Sequence, residues 1–177
     1  MISGNEIRFR AAEREDLPRF VAWLNDPEVR HGLQLFLPQS MAEEEQWYER
    51  MINAPKAEHV LVIEIFDSPE WVTIGTCGFH EIDWRARCAE VGILIGEKPF
   101  WNRGYGTQVM RLLLRHGFNT LNLNRISLRV FSSNPRAIRC YQKAGFVHEG
   151  QQRQAYYQDG DYLDVLLMSV IRTEWKE

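Results

Sequence analysis

Cysteine is scarce: the 177 residues contain three, Cys77, Cys88 and Cys140, and no two form a CxxC pair. That leaves no disulfide framework and no structural zinc site to expect, and a reducing compartment is the simpler reading. Long apolar runs are lacking as well. No stretch approaches the roughly 20 residues of a membrane-spanning helix, and the opening MISGNEIRFR has no signal-peptide core. A cytoplasmic protein without membrane attachment is therefore expected. An excess of charge is also missing, since 21 basic and 24 acidic residues leave a net charge of −3. Bulk electrostatics of that kind argues against a nucleic-acid partner. Repeats, low-complexity tracts and linkers are absent, so the reading is one domain over 1–177. With 45% hydrophobic residues the chain can bury one substantial core.

What is present is an alternation of strand and helix patterns. IRFRAA (7–12) alternates, with Ile7 and Phe9 on one side. Residues 14–24 place Leu17, Phe20, Val21 and Leu24 at helical spacing, and Asn25, Asp26 and Pro27 break that helix. Ser40 and Glu43 form a capping box ahead of a helix over 41–52, with Met41, Tyr48 and Met51 inward and Glu43, Glu44 and Glu45 crowding its first turn. Strands are expected at 59–66 and 72–80, joined by DSPE, and at 89–95, 125–131 and 162–170. A helix follows WNRGYGTQ, burying Val109, Met110, Leu113, Leu114, Gly117 and Leu121. NPRAIRCYQKAG (134–145) has Asn134 as N-cap, Pro135 at the first helical position and Gly145 just past the end. The fold expected is α/β, with mostly neighbouring strands.

The strand AEVGILI, the turn RGYGT and the helix after it have the layout of a phosphate cradle. Amides at a helix N-terminus attract phosphate, glycine permits close approach, and Arg103 adds a charge able to fork onto phosphate oxygens. A Walker loop would need Gly-Lys-Ser/Thr, but Gly106 is followed by Thr107 and Gln108. A dinucleotide fingerprint would need a third glycine or alanine where Val109 stands, and an acid about 20 residues on, where LNLNR is found. Both patterns fail.

The segments AEVGILI, RGYGT and NPRAIRCYQKAGF, in that order, resemble the central half of the GNAT N-acetyltransferase superfamily. IRFRAAEREDLPRFVAWLNDPEV and EGQQRQAYYQDGDYLDVLLMSV are similar to the beginning and end of its ribosomal-protein and spermidine acetyltransferases, so the resemblance covers nearly the whole chain. It implies a GNAT-like α/β (α+β) fold, a mixed, mostly antiparallel central sheet flanked by helices. It also implies acetyl-CoA as co-substrate, no metal, and direct transfer to an amine acceptor, either a protein N-terminus, a polyamine or a small-molecule amine. Relatives that form dimers or larger rings leave a homo-oligomer open. The alternatives are an acyl-CoA sensor without catalysis and, less favoured, a nucleotide-binding turn.

By the resemblance, Tyr141 is the general acid beside the departing sulfur, with a core aromatic as the plain alternative. The phenol, with a reference pKa of about 10, is protonated at neutral pH. Main-chain amides of Ile93, Leu94 and Ile95 are expected to hold the oxyanion and the pantetheine arm, as an added strand would be held. Trp101, Asn102, Arg103, Gly104, Tyr105, Gly106 and Thr107 are expected around the diphosphate. Trp101 departs from the Gln or Arg common there, and an aromatic at that place can pack under the loop instead. Asn134 is a further cofactor contact by the resemblance, and Arg136, Arg139 and Lys143 could meet the 3′-phosphate of CoA, although for any one of the three a solvated helix face is the stronger reading. Glu90 is the candidate general base, even with a structural carboxylate, and His80, Glu81 and Asp83 stand behind it. Glu43, Glu44 and Glu45 could attract a polyamine, although an acidic first helical turn needs no such explanation.

Overall fold

Ile7 and Phe9 are buried on one face of their strand, as their alternation requires. A computed structural model describes residues 1–176. Its eight strands form a mixed, mostly antiparallel sheet in the order β1-β2-β3-β4-β5-β6-β8-β7, accompanied by five α-helices. The chain divides into two compact units: Met1–Phe79 with Gly92–Arg103, and His80–Val91 with Gly104–Glu177.

The first unit opens with β1 (Ile2–Ser3) and β2 (Ile7–Ala11), followed by a 3-10 turn at Arg14–Asp16 and α1 (Leu17–Asn25). Asn25, Asp26 and Pro27 do end α1, but Asp26 then starts another helix. Its carboxylate accepts the amides of Glu28 and Val29, capping α2 (Pro27–Arg30). On α1 the buried face is Leu17, Phe20 and Trp23, so Val21 and Leu24 are only half-buried and the stripe is rotated from the expected one. The capping box of Ser40 and Glu43 forms in full at the head of α3 (Met41–Asn53). Tyr48 and Met51 face inward, whereas Met41, at the first helical residue, is exposed. Its expected place on the inner stripe is taken one turn later by Glu44, which is 4% exposed.

Then β3 (Leu61–Asp67) pairs antiparallel with both β2 and β4 (Glu70–Asp83). Register slips between Ile63 and Glu64, which face Gly75 and Thr73, so Ile74 is an extra residue bulged out of β4. The helices close over Ala12, Leu17, Phe20, Trp23, Val29, Tyr48, Met51 and Val62, and Trp47, Val60, Leu94 and Trp101 pack against that cluster. An ionic lattice fastens β2 to its neighbours: Arg10 reaches Asp16 at 2.6 Å and Glu64 at 2.8 Å, and Arg8 reaches Glu64 at 2.6 Å.

The second unit contains the start of β5 (Cys88–Ile95), α4 (Tyr105–Asn119), β6 (Arg125–Phe131), α5 (Pro135–Ala144), β7 (Val147–Gln158) and β8 (Asp161–Ile171). Cys88–Glu90 of β5 lie parallel to Arg125–Ser127 of β6, and α4 supplies the crossover that such a pair needs. On α4, Val109, Met110, Leu112, Leu113, Leu114, Gly117 and Phe118 are buried, and beyond it Leu123 fills the core place expected for the half-buried Leu121. No strand is predicted by the pattern of residues that form β7. VHEGQQRQAYYQ lacks period-two apolar alternation because it is an edge strand with most side chains exposed. Among the described residues no helix is long and apolar enough to cross a membrane.

Candidate active site

In the first unit the relevant stretch is the end of β5 and the loop after it. The Gly96 and Glu97 amides both donate to the Ile74 carbonyl, at 2.9 and 3.2 Å, and a Cβ on Gly75 would collide with the Leu94 carbonyl oxygen. Leu94 and Gly96 thus turn their main-chain groups toward β4. Alternation then turns those of Ile93 and Ile95 to the opposite edge. Of the three amides expected to meet a cofactor, Leu94's therefore faces its own sheet neighbour.

Past the strand, Trp101 is half-buried against the first unit's core, and its indole Nε1–H donates to the Ile95 carbonyl at 2.7 Å. The departure from Gln or Arg accordingly packs beneath the loop. Asn102 is exposed with φ +61°, and Arg103 is exposed with its guanidinium 5.5 Å from the centre of the Phe100 ring.

The second unit carries the glycine turn and the tyrosine helix. Gly104 takes φ +85°, a left-handed conformation that favours glycine, and as N-cap of α4 it offers no side chain to the first-turn amides. Gly106 serves a different need: a Cβ there would sit 3.0 Å from the Cys140 sulfur, so its absence lets α4 and α5 close together. Thr107 Oγ1 donates to the Cys140 carbonyl at 3.5 Å at the same junction. Tyr105 and Thr107 are half-buried. Burial raises the Cys140 thiol above its ordinary range, which makes it a poor thiolate.

Next to it, Tyr141 is half-buried, its ring 6.0 Å from that of Phe146. Burial, with a smaller contribution from Cys140, pushes the phenol well above its usual value, so the hydroxyl keeps its proton throughout the physiological range. Asn134 Oδ1 accepts the Ala137 amide at 3.1 Å, and Gly145 closes α5 with φ +108°. Arg136, Arg139 and Lys143 are exposed on that helix.

Glu90 has close neighbours that the sequence had not joined to it. Arg129 Nε donates to its Oε1 at 2.9 Å, and His80 Nε2 lies 3.4 Å from the same oxygen. The carboxylate raises the Arg129 pKa by hydrogen bonding and charge. Asp83 accepts the amides of Arg85 and Ala86, both at 2.8 Å, and so acts as a turn residue, while Glu81 is exposed with φ +52°. Thus α4 and α5 bring Gly106, Thr107, Cys140 and Tyr141 to one junction, and Glu90 belongs to a separate cluster with Arg129 and His80. Nothing in RISLRVF distinguishes Arg129 from an ordinary strand residue, so its place beside Glu90 is visible in the structure alone.

The sequence model of the acetyltransferase (GNAT) domain matches residues 6–147. The chain belongs to the GNAT acetyltransferase family. It is 30% identical over 173 residues to the spermidine N(1)-acetyltransferase of Vibrio cholerae, covering 97% of this chain and 96% of that one. It is 29% identical over 170 residues to an L-amino acid N-acetyltransferase of Escherichia coli, covering 95% and 99%. The crystal structure of the V. cholerae spermidine acetyltransferase with CoA and spermine superposes with a TM-score of 0.87 at 28% identity, covering 97% of this chain and 98% of that one. As a GNAT enzyme, the protein is an acetyl-CoA-dependent N-acetyltransferase that moves an acetyl group directly to an amine. The expected resemblance and fold class are both borne out.

Proposed function

We propose that this enzyme acetylates a primary amine of a polyamine, with the Tyr141 hydroxyl facing the departing sulfur as a hydrogen-bond donor. The observation that carries the acceptor is the full-length likeness to an enzyme crystallised with CoA and spermine. The run Glu43–Glu45 does not contribute to this reading. Glu43 is engaged with Ser40 in the capping box and Glu44 is turned inward, which leaves Glu45 as the exposed carboxylate of the three without a capping role.

The amine nitrogen attacks the thioester carbonyl, the C–N bond forms and the C–S bond breaks. Amides of Ile93 and Ile95 are assigned to the arm and oxyanion, and the turn Asn102–Thr107 to the diphosphate, with Asn134 and Arg136 as further contacts. The phenol lies above about 10, while a thiol of cysteine type titrates near 8.5, so complete proton transfer to the thiolate is uphill. Tyr141 therefore stabilises the sulfur by donating a hydrogen bond and keeps its own proton. A polyamine nitrogen, with a pKa near 10, must first lose a proton. Glu90 precedes Ile93 by three residues, or roughly 10 Å of strand, so it can accept that proton only through water.

Because β4 and β5 each pass from one compact unit into the other, both units are read as one catalytic domain over 1–177. The free cysteines suit a cytoplasmic site of action.

The test is thiol release from acetyl-CoA with spermidine, N-terminal peptides and amino sugars. Spermidine is expected to give the highest kcat/KM. Turnover with a peptide or sugar alone would remove the polyamine assignment, and acetyl-CoA binding with no turnover on any acceptor would favour the sensor. In the same assay Tyr141→Phe is expected to lower kcat about 100-fold while the acetyl-CoA KM stays within a few-fold. Undiminished turnover would take Tyr141 out of the mechanism.

A further inference from the structure

The chain departs from the resembled pattern at Trp101, and the geometry around that residue has a consequence for the co-substrate. Ile93 and Ile95 direct their main-chain groups to the edge of β5 away from β4, the edge on which an added strand can pair. Of the groups on it, the Ile95 carbonyl is already taken by the Trp101 indole N–H at 2.7 Å.

The indole is not free to swing aside. Its ring packs against the cluster of Leu17, Phe20, Trp23, Tyr48 and Met51. The loop leading to it is fastened at three points. Trp23 Nε1 donates to Glu97 at 3.2 Å, Lys98 holds Asp26 and Glu28 at 2.7 Å each, and a Cβ on Gly96 would collide with the Trp23 ring.

We infer that Trp101 is a positioning residue that sets the register of the pantetheine arm by occupying the last acceptor on that edge of β5. The inference rests on the reading that the arm of CoA pairs with this strand. With the Ile95 carbonyl occupied, an arm bearing two amides can pair with the Ile93 N–H, the Ile93 carbonyl and the Ile95 N–H, in one register. With that carbonyl released, a second register opens one two-residue repeat further along, and the thioester is displaced with it. A displacement of that size takes the carbonyl carbon out of attacking distance.

The experiment separates the arm from the nucleotide. Trp101→Phe keeps an aromatic ring and removes the donor. It is expected to lower kcat about 10-fold, because much of the bound thioester then sits in the displaced register, while acetyl-CoA affinity by calorimetry stays within a few-fold of the wild type and adenosine 3′,5′-bisphosphate, which has no arm, binds unchanged. Trp101→Gln, which restores an N–H donor without the ring, is expected to recover at least half of the lost kcat on a logarithmic scale even if its melting temperature is lower. Wild-type kcat in Trp101→Phe would overturn the inference. So would equal weakening toward both ligands, since that pattern belongs to general support of the loop. A wild-type protein that binds the bisphosphate but gains nothing from the arm would overturn this inference and leave the acetyltransferase reading standing. Failure of the wild type to bind either ligand would overturn both.

Discussion

Glu44 is buried with the neutral Gln39 side chain hydrogen-bonded to it, and burial raises its pKa. A folded value above the unfolded one means that the native state binds the proton more tightly. The associated stability is present below the unfolded value, near 4.3, and is lost as pH rises through the folded value. At pH 7 the ionised form is therefore a burden on the fold. Glu44→Gln is expected to raise the melting temperature at pH 7 by a few degrees, and the gain should shrink to nothing near pH 4. Thermal melts across that range would check it, and a gain independent of pH would point to packing instead. In the sequence Glu43, Glu44 and Glu45 are three equal acids. Helical rotation makes one a cap, one a core residue and one a surface charge, and only the capping role was legible from spacing to Ser40. Tyr141 differs, because its position within NPRAIRCYQKAGF was enough to single it out.

At the scale of elements, the bulge at Ile74 and the absence of a side chain on Gly75 let β4 accept the Leu94 carbonyl at close quarters. Gly75→Ala would drive a methyl group into backbone, which cannot move aside as a flexible side chain could. A loss of about 2 kcal/mol is expected, lowering the melting temperature by roughly 5 °C, with weaker acetyl-CoA binding because the strand end is displaced. Unchanged stability and affinity would show that the two strands tolerate separation there. Helices with local punctuation were readable in advance: Ser40 with Glu43, and Asn134 with Pro135 and Gly145. Two elements were not. Asp26 reads as a breaker and proves to be a cap as well, and β7 owes its pairing to β8 rather than to any pattern of its own.

Across the whole molecule, acid sensitivity follows from carboxylates paired with arginines. Arg125 holds Glu149 through both terminal guanidinium nitrogens and pulls its pKa down to about 2. Arg10 similarly outweighs burial at Asp16 and Glu64 and lowers both. For such carboxylates the folded value lies below the unfolded one, so their contribution is complete above roughly pH 4.5 and is lost as pH falls toward 2. The protein is expected to destabilise steeply over that interval, and Glu149→Gln should flatten the lower end of the curve by lowering the melting temperature at pH 7 while leaving it unchanged near pH 2, a modest difference because the pair is partly exposed and screened. Melting temperatures from pH 2 to 7 would decide this, and an unchanged slope in the variant would assign the acid limb elsewhere.

The order of AEVGILI, RGYGT and NPRAIRCYQKAGF by itself determined the family, the co-substrate and the tyrosine to suspect, because those properties reside in contiguous stretches whose local geometry is set by nearby glycine, proline and capping residues. Tertiary structure alone decided that Trp101 holds the Ile95 carbonyl, that Glu90 is shared by Arg129 and His80, and that Glu44 is inside. Glu90 and Arg129 are 39 residues apart, and Trp23 and Glu97 are 74 apart. Contacts at that separation depend on how strands register and helices rotate, which no short stretch of sequence specifies.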